Sequence, residues 1–106
     1  MIAVREYLTP DGKSPFAGWF RRLNAPAAAK VTVAVSRIAS GNLSNTKGVG
    51  SGVFEFRIDF GPGYRVYFGK DGERIVILLG GGSKQKQQRD IRNAIEHWAE
   101  YKTRKR

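Results

Sequence analysis

The sequence predicts an α+β domain: a strand, a helical hairpin, a three-stranded antiparallel meander and a C-terminal helix. Three observations carry that expectation. Two apolar stripes at helical spacing lie on either side of Asn24-Ala25-Pro26. Alternating apolar and polar segments are punctuated by Gly61-Pro62-Gly63 and Asp71-Gly72. A last helical face follows a run of glycines at Gly80-Gly81-Gly82. No repeat or composition break divides the 106 residues, so residues 1–106 are read as one domain.

The first strand is Ile2 to Leu8, where apolar and polar residues alternate, and Thr9-Pro10-Asp11-Gly12 turns the chain. Ser14 before Pro15 is the arrangement of an N-cap followed by proline at the first helical position. Phe16, Trp19, Phe20 and Leu23 then give one apolar stripe. After Asn24-Ala25-Pro26, Val31, Val33 and Val35 alternate as in a strand, while Val31, Val35 and Ile38 fit a helical face. The preceding Ala27-Ala28-Ala29 favours the helix. Gly41 to Gly52 reads as a loop with one cation, Lys47. The meander runs Val53 to Phe60, Tyr64 to Lys70 and Glu73 to Leu79. The last helix, Arg89 to Tyr101, aligns Ile91, Ala94, Ile95 and Trp98, and the basic tail Lys102 to Arg106 follows.

Nineteen Lys and Arg against nine Asp and Glu give a net charge of +10. Such a field favours polyanions: nucleic acid, ribosome or an acidic protein. No apolar run reaches the roughly 20 residues of a membrane helix, and no basic amphipathic stretch with a broad apolar face points to a membrane surface. The start, Met1-Ile2-Ala3-Val4-Arg5-Glu6, has neither the basic beginning nor the apolar core of a signal peptide, and cysteine is absent. A soluble, cytoplasmic protein is expected.

Centring the first hairpin on Pro62 pairs Phe60 with Tyr64, Ile58 with Val66 and Phe56 with Phe68 on a buried face. The opposite face then carries Glu55, Arg57 and Asp59 against Gly69, Tyr67 and Arg65. With helices over the Phe/Ile face, the charged face is expected to be open. It reads either as a solvated surface, with cross-strand ion pairs worth at most about 1 kcal/mol each, or as a binding surface completed by Lys47 and Lys84.

Gly80-Gly81-Gly82-Ser83-Lys84 ends an apolar strand and invites comparison with a nucleotide-binding loop. That motif needs Ser or Thr after the lysine, and here Gln85 follows. Ser83 reads as a helix N-cap. Lys84, Lys86 and Arg89 then enter the positive end of a helix, costing about 0.3 to 1 kcal/mol each unless a polyanion is held there. His97 is the only histidine and reads as a surface or packing residue; with no cysteine, neither a metal site nor a cofactor is expected.

The stretch "GVFEFRIDFGPGYRVYFGKDGERIVILLGGGSKQKQQRDIRNAIE", Gly52 to Glu96, resembles the RelE/ParE superfamily of bacterial toxins. It is most similar to the phage-associated, HigB-like addiction module killer subgroup. The hallmarks are the E-[LF]-R-I strand, the G-P-G-Y-R-V-Y-[FY] hairpin, the apolar strand ending L-x-G-G-x-K, and Q-x-x-D-I-x-x-A in the last helix. The resemblance implies a RelE-like fold and a metal-independent endoribonuclease that cleaves ribosome-bound mRNA to inhibit translation. It also implies residue roles. Arg65 would contact the scissile phosphate, Arg57 the substrate or transition state, and Lys84 would supply a further catalytic cation. Lys47 would help to activate the nucleophile or hold RNA, and Tyr67 would stack on an RNA base or merely pack. Lys86 and Arg89 are read as RNA-binding from their place beside Lys84 at a helix N-terminus, not from the resemblance. No secure equivalent of the tyrosine or histidine that transfers protons in several relatives occurs in Gln85 to Gln88, and Tyr101 and His97 are distant candidates. The alternative, from the ParE branch, is a non-enzymatic inhibitor of DNA gyrase. The implied partners are a cognate helix-turn-helix antitoxin, the ribosome with its mRNA, and operator DNA reached only through the antitoxin complex.

Overall fold

The computed structural model of the protein describes residues 2–105. Met1, the first residue of the stretch read against a signal peptide, and Arg106, the last of the basic tail, lie outside them. The architecture is the expected mixed α+β one. Strand β1 (Ala3–Glu6) leads into helices α1 (Pro15–Arg21) and α2 (Ala25–Ala39). Strands β2 (Thr46–Gly50), β3 (Val53–Ile58), β4 (Tyr64–Asp71) and β5 (Ile75–Ser83) follow, then a 3-10 turn (Lys84–Lys86) and helix α3 (Gln87–Lys105). The sheet order is β1-β5-β4-β3-β2, with β1 parallel to β5 and the other pairs antiparallel.

The helical hairpin forms where local chemistry permits it. Ser14 Oγ accepts from the Ala17 N–H at 3.0 Å, and Asn24 Oδ1 accepts from the Ala27 N–H at 3.0 Å. A proline occupies the first turn of each helix, where its missing N–H costs nothing. In α2 the residues Ala27, Val31, Ala34 and Ile38 are buried while Val33 stands exposed, so helical periodicity prevails over the valine alternation.

Alternation divides the sheet into two faces. Phe56, Ile58, Val66, Phe68, Val76 and Leu78 form a core with Phe16, Val31 and Ile38 from α1 and α2. The other face was expected to lie open, and it does not. Val53, Tyr67, Ile77 and Leu79 form a second core with Ala94 and Trp98 of α3. Each large apolar side chain so buried contributes about 2 kcal/mol. Trp98 lies against Gly69, where an added Cβ would come within 2.6 Å of the indole. Coverage fades along β3: Val53 and Glu55 are buried and Arg57 is exposed. The charged face is therefore confined to one end of the sheet.

Further expectations need correction. The segment read as a loop from Gly41 to Gly52 contains β2, an edge strand paired through Thr46↔Phe56 and Lys47↔Glu55. Gly48 and Gly50 had removed the strand pattern from its sequence. The first hairpin pairs Ile58 with Tyr64, Phe56 with Val66 and Arg57 with Arg65, two residues away from the register centred on Pro62. Its tip bends at Gly61 and Gly63, with φ of 57° and 81°. A shift of two preserves the faces and changes the partners.

The glycines do not end β5, which continues through them to Ser83 beside Tyr64–Tyr67. They are small because α1 and α3 sit directly on them: a Cβ at Gly81 would overlap the Trp19 ring, and one at Gly82 the Asp90 carboxylate. Finally, Lys84 and Lys86 lie in the 3-10 turn before α3, and Arg89 shares the first turn with Asp90. The suspected clash of cations with the helix dipole is thereby largely removed. Ser83 precedes the 3-10 turn without making a side-chain cap bond. At the other end α3 runs beyond Tyr101, placing Lys102, Arg104 and Lys105 in its last turn, where cations are favoured.

Candidate phosphate-binding groove

Beyond the reach of α3, the rim of the sheet forms a groove of about 470 Å³. Lys47 of β2, Arg57 of β3, Arg65 of β4 and Lys84 of the 3-10 turn all line it, together with Asn45 and Asp59. Backbone bonds fix these contributors. The Arg57 N–H donates to the Asn45 carbonyl at 3.0 Å, tying β3 to the approach of β2. The Lys84 N–H donates to the Gly63 carbonyl at 2.9 Å, bringing the 3-10 turn over the β3–β4 tip. A point one Cβ above Gly63 lies 3.6 Å from both Arg65 Nη1 and the Lys84 Cβ.

The electrostatics are unbalanced. Arg57 and Arg65 are directly opposed across β3 and β4, an arrangement that costs stability. Among the described residues no carboxylate lies within ion-pair distance of Arg57, Lys47 or Lys84. Arg65 differs, being 7% exposed with its Nε 3.5 Å from Glu55 Oε2. That contact lacks hydrogen-bond alignment and acts as charge on charge. Glu55 is fully buried, and its Oε2 accepts from Gln87 Nε2 at 2.8 Å and from the Tyr67 hydroxyl at 3.3 Å. Burial, then the Glu55 charge, holds the Tyr67 phenol well above its ordinary pKa, so it remains a donor.

The expected site residues thus divide. Lys47, Arg57, Arg65 and Lys84 converge on one groove. Tyr67 is fully buried beneath α3, so its ring offers no face to a base. Lys86 and Arg89 line a different groove, between α1 and α3 on the other side of the Gly82–Ser83 segment. Neither distant proton-transfer candidate reaches the first groove. Tyr101 stacks on Trp98 and donates to Asp71 at 2.6 Å, and His97 stacks on Tyr7 with ring centroids 4.9 Å apart. The sequence offered Glu55 only as a member of cross-strand ion pairs on an open face, and it did not single out Gln87. The available signal was a lone acid inside the apolar strand "VFEFRI". Among the described residues no cluster of three or more His, Cys, Asp or Glu could hold a metal ion. No described helix is long and apolar enough to cross a membrane.

A cation cluster of this kind can hold a phosphodiester and stabilise extra negative charge on it. Arginine offers paired donors to phosphate oxygens, and lysine a mobile point charge. Comparison with known proteins agrees on kinship. The family described as "Phage derived protein Gp49-like (DUF891)" matches residues 18–99. A protein of Haemophilus influenzae (strain ATCC 51907 / DSM 11121 / KW20 / Rd), described as "Uncharacterized protein", is 44% identical over 80 residues. That match covers 74% of this chain and 81% of the relative.

Proposed function

Because the chain belongs to the phage-derived Gp49-like family, a membership that suggests a toxin-like protein, we propose that it is the toxin of a type II toxin–antitoxin module. Its activity in this reading is endonucleolytic cleavage of ribosome-bound mRNA. The observation that carries the reading is the convergence of Lys47, Arg57, Arg65 and Lys84 on one groove.

In this reaction the RNA 2′-oxygen bonds to the adjacent phosphorus and loses its proton. The bond from phosphorus to the 5′-oxygen breaks, and that oxygen gains a proton. A 2′,3′-cyclic phosphate and a 5′-hydroxyl result. The phosphorane between them carries added negative charge, which preorganised cations stabilise more than they stabilise the substrate. Arg65, fixed from below by Glu55, and Arg57 opposite it are assigned to that charge. Lys84 is the third catalytic cation, and Lys47 holds the RNA backbone. The cognate partner is a helix-turn-helix antitoxin, whose complex with the toxin binds operator DNA.

Primer extension on mRNA in a reconstituted translation reaction tests the activity. Discrete cuts are expected that vanish in an Arg57→Ala, Arg65→Ala variant. One observation favours a second reading: Tyr101 and His97 both lie away from the groove. A ParE-like inhibitor of DNA gyrase needs no proton-transfer group. Intact mRNA together with inhibited supercoiling by purified gyrase would establish that reading instead.

A further inference from the structure

Strand β5 has a free edge. β1 pairs with it over Ile75–Leu78, ending where the Tyr7 N–H donates to the Leu78 carbonyl at 2.9 Å. β4 continues alongside β5 as far as Ser83. Over residues 79–83 the side of β5 away from β4 therefore has no strand beside it among the described residues. Five residues of extended chain span about 16 Å. These residues line the groove between α1 and α3, a space of about 480 Å³. With glycine at 80, 81 and 82 this stretch puts no side chain of its own in the way, and the Trp19 ring and the Asp90 carboxylate flank it on either face.

Free strand edges are usually blunted by proline, inward charges or a covering element. The helices flanking this one bury Leu79 and Gly82 but leave Gly80, Gly81 and Ser83 partly exposed, and they surround the edge with cations. Arg22 stands on the α1 side, and Lys86 and Arg89 on the side leading into α3. The one acid beside them, Asp90, is already paired with Arg89 at 3.2 Å. Arg22 and Lys86 are in no ion pair among the described residues.

We propose that this edge receives an extended, acidic segment of a protein partner, which adds a sixth strand beside β5. Alternating donors and acceptors on a peptide backbone complement both kinds of group on the edge, and its acidic side chains meet Arg22 and Lys86. A nucleic-acid backbone is a poorer match, because its phosphate oxygens only accept and would oppose the edge carbonyls. The assignment stands independently of whether the first groove cleaves RNA.

Selection of a random phage-displayed library of peptides about twelve residues long against the full chain provides the test. Enriched sequences should be rich in Asp and Glu. They should shift the amide resonances of Gly80 to Ser83 and slow exchange at the free edge about tenfold or more. An Arg22→Glu, Lys86→Glu variant, shown folded by the same spectrum, should lose about tenfold or more in affinity. Absence of enrichment, enrichment without acidic bias, or acidic peptides that move other amides would overturn the proposal. So would a single-stranded oligoribonucleotide that moves the Gly80 to Ser83 amides as strongly as the peptides do.

Discussion

Gln87 donates its side-chain amide to Glu55 at 2.8 Å, joining the start of α3 to the middle of β3. The carboxylate it reaches is fully buried and faces Arg65. Removing one member of a buried ion pair leaves the other uncompensated. Glu55→Gln is therefore expected to cost about 3 kcal/mol in urea denaturation, whereas Gln87→Ala should cost about 1 kcal/mol. Equal, small losses would show that the charge contact carries no stability. RNA cleavage should fall in both variants, because Arg65 loses its fixed position.

Arg57 presents the opposite balance. It is exposed and directly across from a like charge, so Arg57→Ala should leave stability unchanged or raise it by about 0.5 kcal/mol. Cleavage should nevertheless drop about a hundredfold or more, the scale of losing a donor to transition-state charge. Denaturation and single-turnover cleavage on one preparation separate the two effects. A loss of stability that parallels the loss of activity would contradict this account.

Binding of single-stranded RNA to the groove should depend steeply on salt. Four cations on four phosphates give a log–log slope of about −3, and Lys84→Ala should reduce its magnitude by about 0.7. Fluorescence anisotropy across a salt series reads both numbers. A slope unaffected by Lys84→Ala would remove that residue from the RNA path.

Two tyrosines bind α3 to the sheet and set an alkaline limit. Tyr7 donates to Glu100 and Tyr101 to Asp71, each at 2.6 Å. Burial first, and then these acidic partners, push both phenols up to about 12. An unfolded phenol loses its proton near pH 10. The folded state therefore retains protons that the unfolded state has released. Their stabilisation is complete below about pH 10 and is lost as pH rises towards about 12. A Tyr7→Phe, Tyr101→Phe variant should show a flatter decline in stability over that interval, measured by denaturant titration at stepped pH.

Gly81 is expected to resist even a methyl group. The Trp19 ring occupies the space of a Cβ there, so Gly81→Ala should cost about 1–3 kcal/mol through overpacking. In a Trp19→Leu background the same change should cost measurably less, and thermal denaturation of the four proteins yields the coupling. Additive losses would show that the ring does not set the glycine requirement.

How much of this was legible depends on whether the cause is local. Alternation through "VFEFRI" and "YRVYFG" placed Arg57 and Arg65 on one face, and that survived a two-residue error in register because faces repeat every two residues. The tip Gly61-Pro62-Gly63 reads as a turn by itself, and only the full pairing shows that Asp59 and Phe60 belong to the loop. β2 was invisible because Gly48 and Gly50 leave no periodicity, its strand character coming from the β3 edge it completes. The burial of Glu55 and Tyr67 depends on α3, whose apolar face was read correctly but whose placement over the sheet is a tertiary matter. Lys86 and Arg89 were grouped with Lys84 by proximity in sequence. The 3-10 turn places them along a different groove.

Lys47 differs from its three companions in the kind of element that carries it. β2 is an outermost strand with a register shift between Gly48 and Gly50, and its residues are exposed or half-buried. Strands of that type breathe at low free-energy cost while the core remains closed. In the proposed reading, a polyanion that draws on Lys47 is expected to slow the opening of this edge strand. Amide protection along Thr46–Gly50 becomes a direct gauge of occupancy, readable without following any chemical step.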